Sequence, residues 1–141
     1  MKSPALLTKK IRKALPPIYS QEAVKDPIVH VKFFTPDANA TWFALEFDGV
    51  DEFFGWACLG DVEMAELGYF YLSELQKVRG RFGLPVERDM YFAPRPLSEA
   101  KMTVGGYRSR EALAVARSPL TQNGQSQELD GALDDNETPT R

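Results

Sequence analysis

Three stretches rich in β-branched and aromatic residues follow one another between positions 28 and 59: Ile28–Thr35 (IVHVKFFT), Thr41–Asp48 (TWFALEFD) and Glu52–Leu59 (EFFGWACL). Side chains of this kind fit a pleated surface, while the separating Pro36-Asp37-Ala38-Asn39 and Gly49 supply turns. The pattern predicts an antiparallel meander, with a fourth short strand at Gly68–Leu72 (GYFYL) after the acidic loop Gly60–Glu66. Few other arrangements bury so many rings in so short a span.

The flanking sequence predicts helices. Thr8 precedes KKIRKAL, where Ile11, Ala14 and Leu15 fall at helical spacing, and Pro16-Pro17 stops the run. A linker, PIYSQEAVKDP, leads to Pro27. Ser73 is a candidate cap for a helix through Glu74–Val78 that Gly80 and Gly83 end. Met90-Tyr91-Phe92 reads as an edge strand, and Pro94 and Pro96 close the domain. The expected class is α+β: a small antiparallel sheet of about four strands, an N-terminal helix, and a short helix after the last main strand.

Composition places the boundaries. Of the 16 aromatic residues, 15 precede position 99. Residues 1–98 carry a net charge of −1, residues 99–117 of +2 and residues 118–141 of −4. A terminal segment without aromatics or periodicity buries too little apolar area to offset an ordering cost of roughly 1–2 kcal/mol per residue. The expectation is one compact domain over 1–98 and an extension over 99–141, mostly disordered, in which 109–117 can form an amphipathic helix with Leu113 and Ala116 on one face. No apolar run approaches the roughly 18 residues of a membrane span, and the basic start MKSPALLTKKIRKAL lacks a signal-length apolar stretch. Cys58 is the single cysteine, so no intramolecular disulfide is available. A cytoplasmic protein with no membrane partner is expected.

Strand alternation sets Val29, Val31 and Phe33 opposite His30, Lys32 and Phe34, and Phe43, Leu45 and Phe47 opposite Trp42, Ala44 and Glu46. With the Val/Phe faces inward, the outer face offers His30, Lys32, Phe34 and Trp42, with Glu46 beside them. Aromatics interleaved with basic groups on an open sheet stack unpaired bases, so these four are nucleic-acid-binding candidates. The more ordinary reading is a sheet covered on both sides, by the N-terminal helix on one and the later helix on the other. An isoelectric point of about 5.2 gives no global positive field, yet two basic clusters stand out: Lys9, Lys10, Arg12 and Lys13, and Lys77, Arg79 and Arg81. The usual reading of such a run is the solvated face of a helix.

Signals for catalysis are weaker. His30 is a lone mid-strand imidazole, and Cys58 has apolar neighbours that favour an inert thiol. No CxxC, HExxH, GxxxxGK[ST] or GxGxxG pattern is present, and Gly105-Gly106 stands in a linker, so no cofactor is expected. Glu46, Asp48 and Glu52 surround the second turn of the meander and form the candidate metal set of an alternative reading, a small metal-dependent hydrolase or nuclease. Acidic residues are equally common in turns for conformational reasons. Asp61, Glu63 and Glu66 form a second acidic group, a candidate docking site for a basic protein partner.

Four segments in order, LLTKKIRKALPPIYSQE, VHVKFFTPDANATWFALEFDG, FFGWACLG and ELGYFYLSELQKVRGRFGLPVERDMYF, resemble the bacterial domain-of-unknown-function family numbered 2958, over about residues 6–93. The resemblance implies a protein typical of plasmids, integrative elements and phage-related islands, often near antirestriction and DNA-processing genes. It carries no catalytic motif, so no functional residue follows from it. The expected function is that of a non-enzymatic accessory protein of a mobile element, acting on single-stranded nucleic acid or on another protein of the element.

Overall fold

A computed structural model of the chain describes residues 5–105. Every helix and strand of the described residues lies within one compact unit, Met1–Lys101. The helix expected over 109–117 and the tail beyond it lie outside the described residues.

The meander forms as the sequence predicts, and the fold is α+β. Strands β2 (Val31–Phe34), β3 (Ala40–Phe47), β4 (Glu52–Leu59) and β5 (Glu66–Tyr71) pair antiparallel. A two-residue strand, β6 (Glu87–Arg88), joins the outer edge of β2, so the sheet has five strands in the order β5-β4-β3-β2-β6. Two features depart from expectation. The first predicted strand is broken at His30: β1 (Ile28–Val29) leaves the main sheet and pairs with β7 (Arg95–Pro96). Met90-Tyr91-Phe92 is a turn, held by the Tyr91 N–H donating to the Asp89 side chain at 2.9 Å and the Phe92 N–H to the Asp89 carbonyl at 3.2 Å.

Cross-strand partners share a sheet face. Val31 pairs with Ala44, Phe33 with Trp42, and Phe47 with Phe53. These side chains form the first face, and its cover is helical. Helix α1 (Lys9–Ala14) begins at Thr8, whose hydroxyl accepts from the Ile11 N–H at 3.1 Å, and it lays Ile11 and Leu15 on the core. Helix α2 (Leu72–Leu75) adds Leu72 and Leu75, and Val78 and Val86 extend the same layer. Ser73 is not the cap of α2 but lies inside it. Asp51 caps from the neighbouring turn, its carboxylate accepting from the Ser73 N–H at 2.8 Å and the Ser73 hydroxyl at 2.7 Å.

The second face carries Phe43, Trp56, Phe54 and Cys58, all buried. Phe92 stacks on Phe43 at 6.0 Å between centroids, and α3 (Leu97–Lys101) buries Leu97 and Ala100 and brings the Lys101 ammonium over the Trp56 ring. Both faces are therefore covered. The cover differs from the expected one, since α1 and α2 share a face and loops with α3 close the other. Helix α3 straddles the boundary expected at residue 98.

Candidate nucleic-acid interface

The four aromatic and basic candidates on the sheet do not form one surface. Phe34 and Lys32 lie on the second face, where the Lys32 ammonium reaches Asp89 at 3.7 Å and the Phe34 ring at 5.8 Å. Trp42 faces the opposite way. It pairs with Phe33 across the hairpin and is 6% exposed in the first-face core, which corrects its grouping with Lys32 and Phe34. The reason is a β-bulge between Ala44 and Glu46. Phe47 does share a face with Phe33, but the extra residue shifts the alternation, so Phe43 and Trp42 lie opposite to where unbroken alternation puts them. His30 is half-buried where β1 gives way to β2, its N–H donating to the Ala44 carbonyl at 2.9 Å. Burial alone lowers its pKa below the usual 6.5.

The three carboxylates around the second turn are also kept apart. Glu46 is fully buried and accepts from the Tyr19 N–H at 2.9 Å and the Gln21 N–H at 2.7 Å. Asp48 is exposed and accepts three N–H groups of its own turn, from Val50, Asp51 and Glu52, at 2.8 to 3.0 Å. Slight desolvation raises its pKa, and the N–H donors outweigh that and hold it below the usual carboxylate value. Glu52 accepts the Tyr71 hydroxyl at 3.0 Å, a bond that with the carboxylate charge raises the Tyr71 pKa. Among the described residues no three His, Cys, Asp or Glu side chains converge as metal ligands.

Asp61 accepts from the Glu63 N–H at 3.0 Å and so caps the short 3-10 turn Val62–Met64. Glu63 and Glu66 are exposed beside it. Cys58 is buried, as its apolar neighbours suggest.

The basic clusters have a different outcome: the fold brings them to one side of the sheet. Ile11 and Leu15 anchor α1 to the first face, and Leu72, Leu75 and Val78 anchor the 72–78 segment to the same face. The solvent side of this layer therefore displays both clusters, all seven side chains exposed. Two of them have structural partners. Arg12 donates to the Gly49 carbonyl at 2.9 Å and lies over the Phe47 ring, and Arg79 donates to the Gln76 and Val78 carbonyls at 2.9 Å. The other five, Lys9, Lys10, Lys13, Lys77 and Arg81, make no hydrogen bond or ion pair with the described residues. Residues 5–15 and 72–88, which form the layer, hold eight basic and two acidic side chains. The rest of the described chain is acidic. That separation of charge creates a local positive field that the whole-chain isoelectric point conceals.

Sequence reasoning missed one exposed aromatic ring in this region. Phe82, in the loop after α2, is 79% exposed. The signal was present in RGRFG, residues 79–83, a ring set between arginines and glycines.

The sequence model of a family described as a protein of unknown function (DUF2958) matches residues 6–103. No curated protein and no solved structure matches the chain.

Proposed function

The chain belongs to this family of proteins of unknown function, DUF2958, and we propose that it is a nucleic-acid-binding accessory protein. In this reading it serves a bacterial mobile element, acts in the cytoplasm and catalyses no reaction. The observation that carries the reading is the cluster of five exposed cations without partners among the described residues, Lys9, Lys10, Lys13, Lys77 and Arg81, on the layer over one sheet face. The chain has 20 acidic against 17 basic residues, yet residues 5–15 and 72–88 hold eight basic and two acidic ones. Their segregation suits a polyanion.

Fluorescence anisotropy of a labelled 20-nucleotide strand against the full chain tests it. Binding should weaken linearly with log salt, with a slope of roughly −3.5 if all five cations engage phosphates. Reversing Lys9, Lys10 and Lys13 to Glu should weaken it by about tenfold or more. Absence of binding at 50 mM salt, or equal binding by the reversed variant, overturns the reading.

A further inference from the structure

Resting on the nucleic-acid reading, we propose that the loop at 79–85 is a preformed finger that stacks unpaired bases on Phe82, which makes the ligand single-stranded.

The loop is closed and anchored. Arg79 and Pro85 form an antiparallel bridge, the Gly80 N–H donates to the Leu84 carbonyl at 2.9 Å, and the Gly83 N–H turns back to the Gly80 carbonyl at 3.0 Å. Gly83 has φ +86°, a backbone region that side-chain-bearing residues rarely adopt. The anchor is Asp37, from the turn between β2 and β3. One carboxylate oxygen accepts from the Phe82 N–H at 2.7 Å and from the Leu84 N–H at 3.2 Å. Gly80 makes room for this carboxylate, since a Cβ there would lie 1.5 Å from its other oxygen.

All of this fixes the backbone of Phe82 while leaving its ring in solvent. The ring therefore adds little to the core and leaves an apolar planar face free to meet a ligand. The neighbouring charge identifies the rest of that ligand. From Gln76 to Val86 there are three basic residues, Lys77, Arg79 and Arg81, and no acidic one. An anion with flat apolar faces, repeated along a flexible chain, meets both requirements. Bases offer those faces when unpaired, because in a duplex they stack on one another.

The test uses the full chain, a labelled thymidine 20-mer and a 20-base-pair duplex at low salt. Phe82→Ala should weaken single-strand binding about 5- to 150-fold, the range that loss of one base stack gives. Duplex binding should change less than about twofold, and Phe82→Trp should restore single-strand binding, with its indole emission quenched by the strand. Should Phe82→Ala bind the 20-mer as the parent does while the Lys9, Lys10 and Lys13 reversal abolishes binding, the stacking finger is wrong and the charged layer stands. Equal losses on strand and duplex also overturn the finger. Failure of the parent protein to bind either probe overturns both readings.

Discussion

The carboxylate of Glu46, 0% exposed, accepts the backbone N–H of Tyr19 at 2.9 Å, and Tyr19 adopts φ +73°, in the left-handed region. One buried charge thus holds a linker in a conformation that costs an L-residue about 1–2 kcal/mol. The same carboxylate takes the Gln21 N–H, and the Gln21 amide in turn bridges the Leu45 and Ile28 carbonyls and accepts the Ile28 N–H. Linker and second face are joined through these groups.

Replacing Glu46 with Ala removes two charge-assisted acceptors and leaves two N–H groups to find others. The expected loss is about 3 kcal/mol or more, since hydrogen bonds to charged groups contribute roughly 1.5–3 kcal/mol each. For a domain of this size that lowers Tm by roughly 12 °C or more. Glu46→Gln keeps one acceptor oxygen and should lose less. Urea unfolding followed by circular dichroism measures both, and an unchanged midpoint for Glu46→Ala contradicts the assignment.

Gly55 on β4 faces Ala44 on β3 and Gly68 on β5. A Cβ at Gly55 would lie 2.0 Å from the Phe43 carbonyl oxygen and 3.1 Å from the Phe70 ring, whereas one at Gly68 meets nothing within 4 Å. Backbone cannot retreat cheaply inside a central strand. Gly55→Ala should therefore destabilise by more than about 4 kcal/mol or leave the chain unfolded, while Gly68→Ala folds. Paired expression and thermal melts of the two variants distinguish the sites.

His30 gives a pH dependence with a definite sign. Burial lowers its folded-state pKa below 6.5, so the unfolded chain takes up a proton more readily than the fold. The contribution of neutral His30 is complete above pH 6.5 and declines as pH falls from there to the folded pKa. Below that value the decline stops. His30→Gln should flatten this part of the stability profile, measured by urea midpoints between about pH 5 and 7.5. Because the chain has one histidine, its imidazole proton resonances titrate alone in NMR, and a midpoint at or above 6.5 contradicts the burial argument.

Asp37 should protect two amides far from it in sequence. Hydrogen exchange at Phe82 and Leu84 is expected to be slow for so exposed a loop, because both N–H groups bind its carboxylate. In Asp37→Ala both should exchange faster, with the core strands unchanged. Unaltered exchange at both positions shows that the loop holds its shape by other means.

The meander was legible because alternating rings and β-branched residues need no partner to be recognised, and Thr8 was legible as a cap because that bond is local. What escaped detection depended on distant residues. Unbroken alternation puts Trp42 on the wrong face, since the bulge before Glu46 resets the alternation and nothing in TWFALEFD marks where it falls. Ser73 reads as a cap until Asp51, 22 positions earlier, is seen to take that role. Strands β6 and β7 are two residues each, too short for any period. Of the candidate interface, both basic clusters were visible as runs of charge. Their placement on one side of the sheet was not, because it follows from where Leu15 and Leu75 are buried.

The contact between Asp37 and Gly80 bears on how this family can vary. Either position read alone is unremarkable, an acid in a turn and a glycine in a loop. Together they form a lock in which the carboxylate occupies the volume a side chain at 80 would need. A relative that acquires any other residue at 80 must therefore move or lose the acid at 37, and its finger must then be held by a different device. The two positions are expected to change as a pair across the family, and a relative in which only one has changed should present its finger differently.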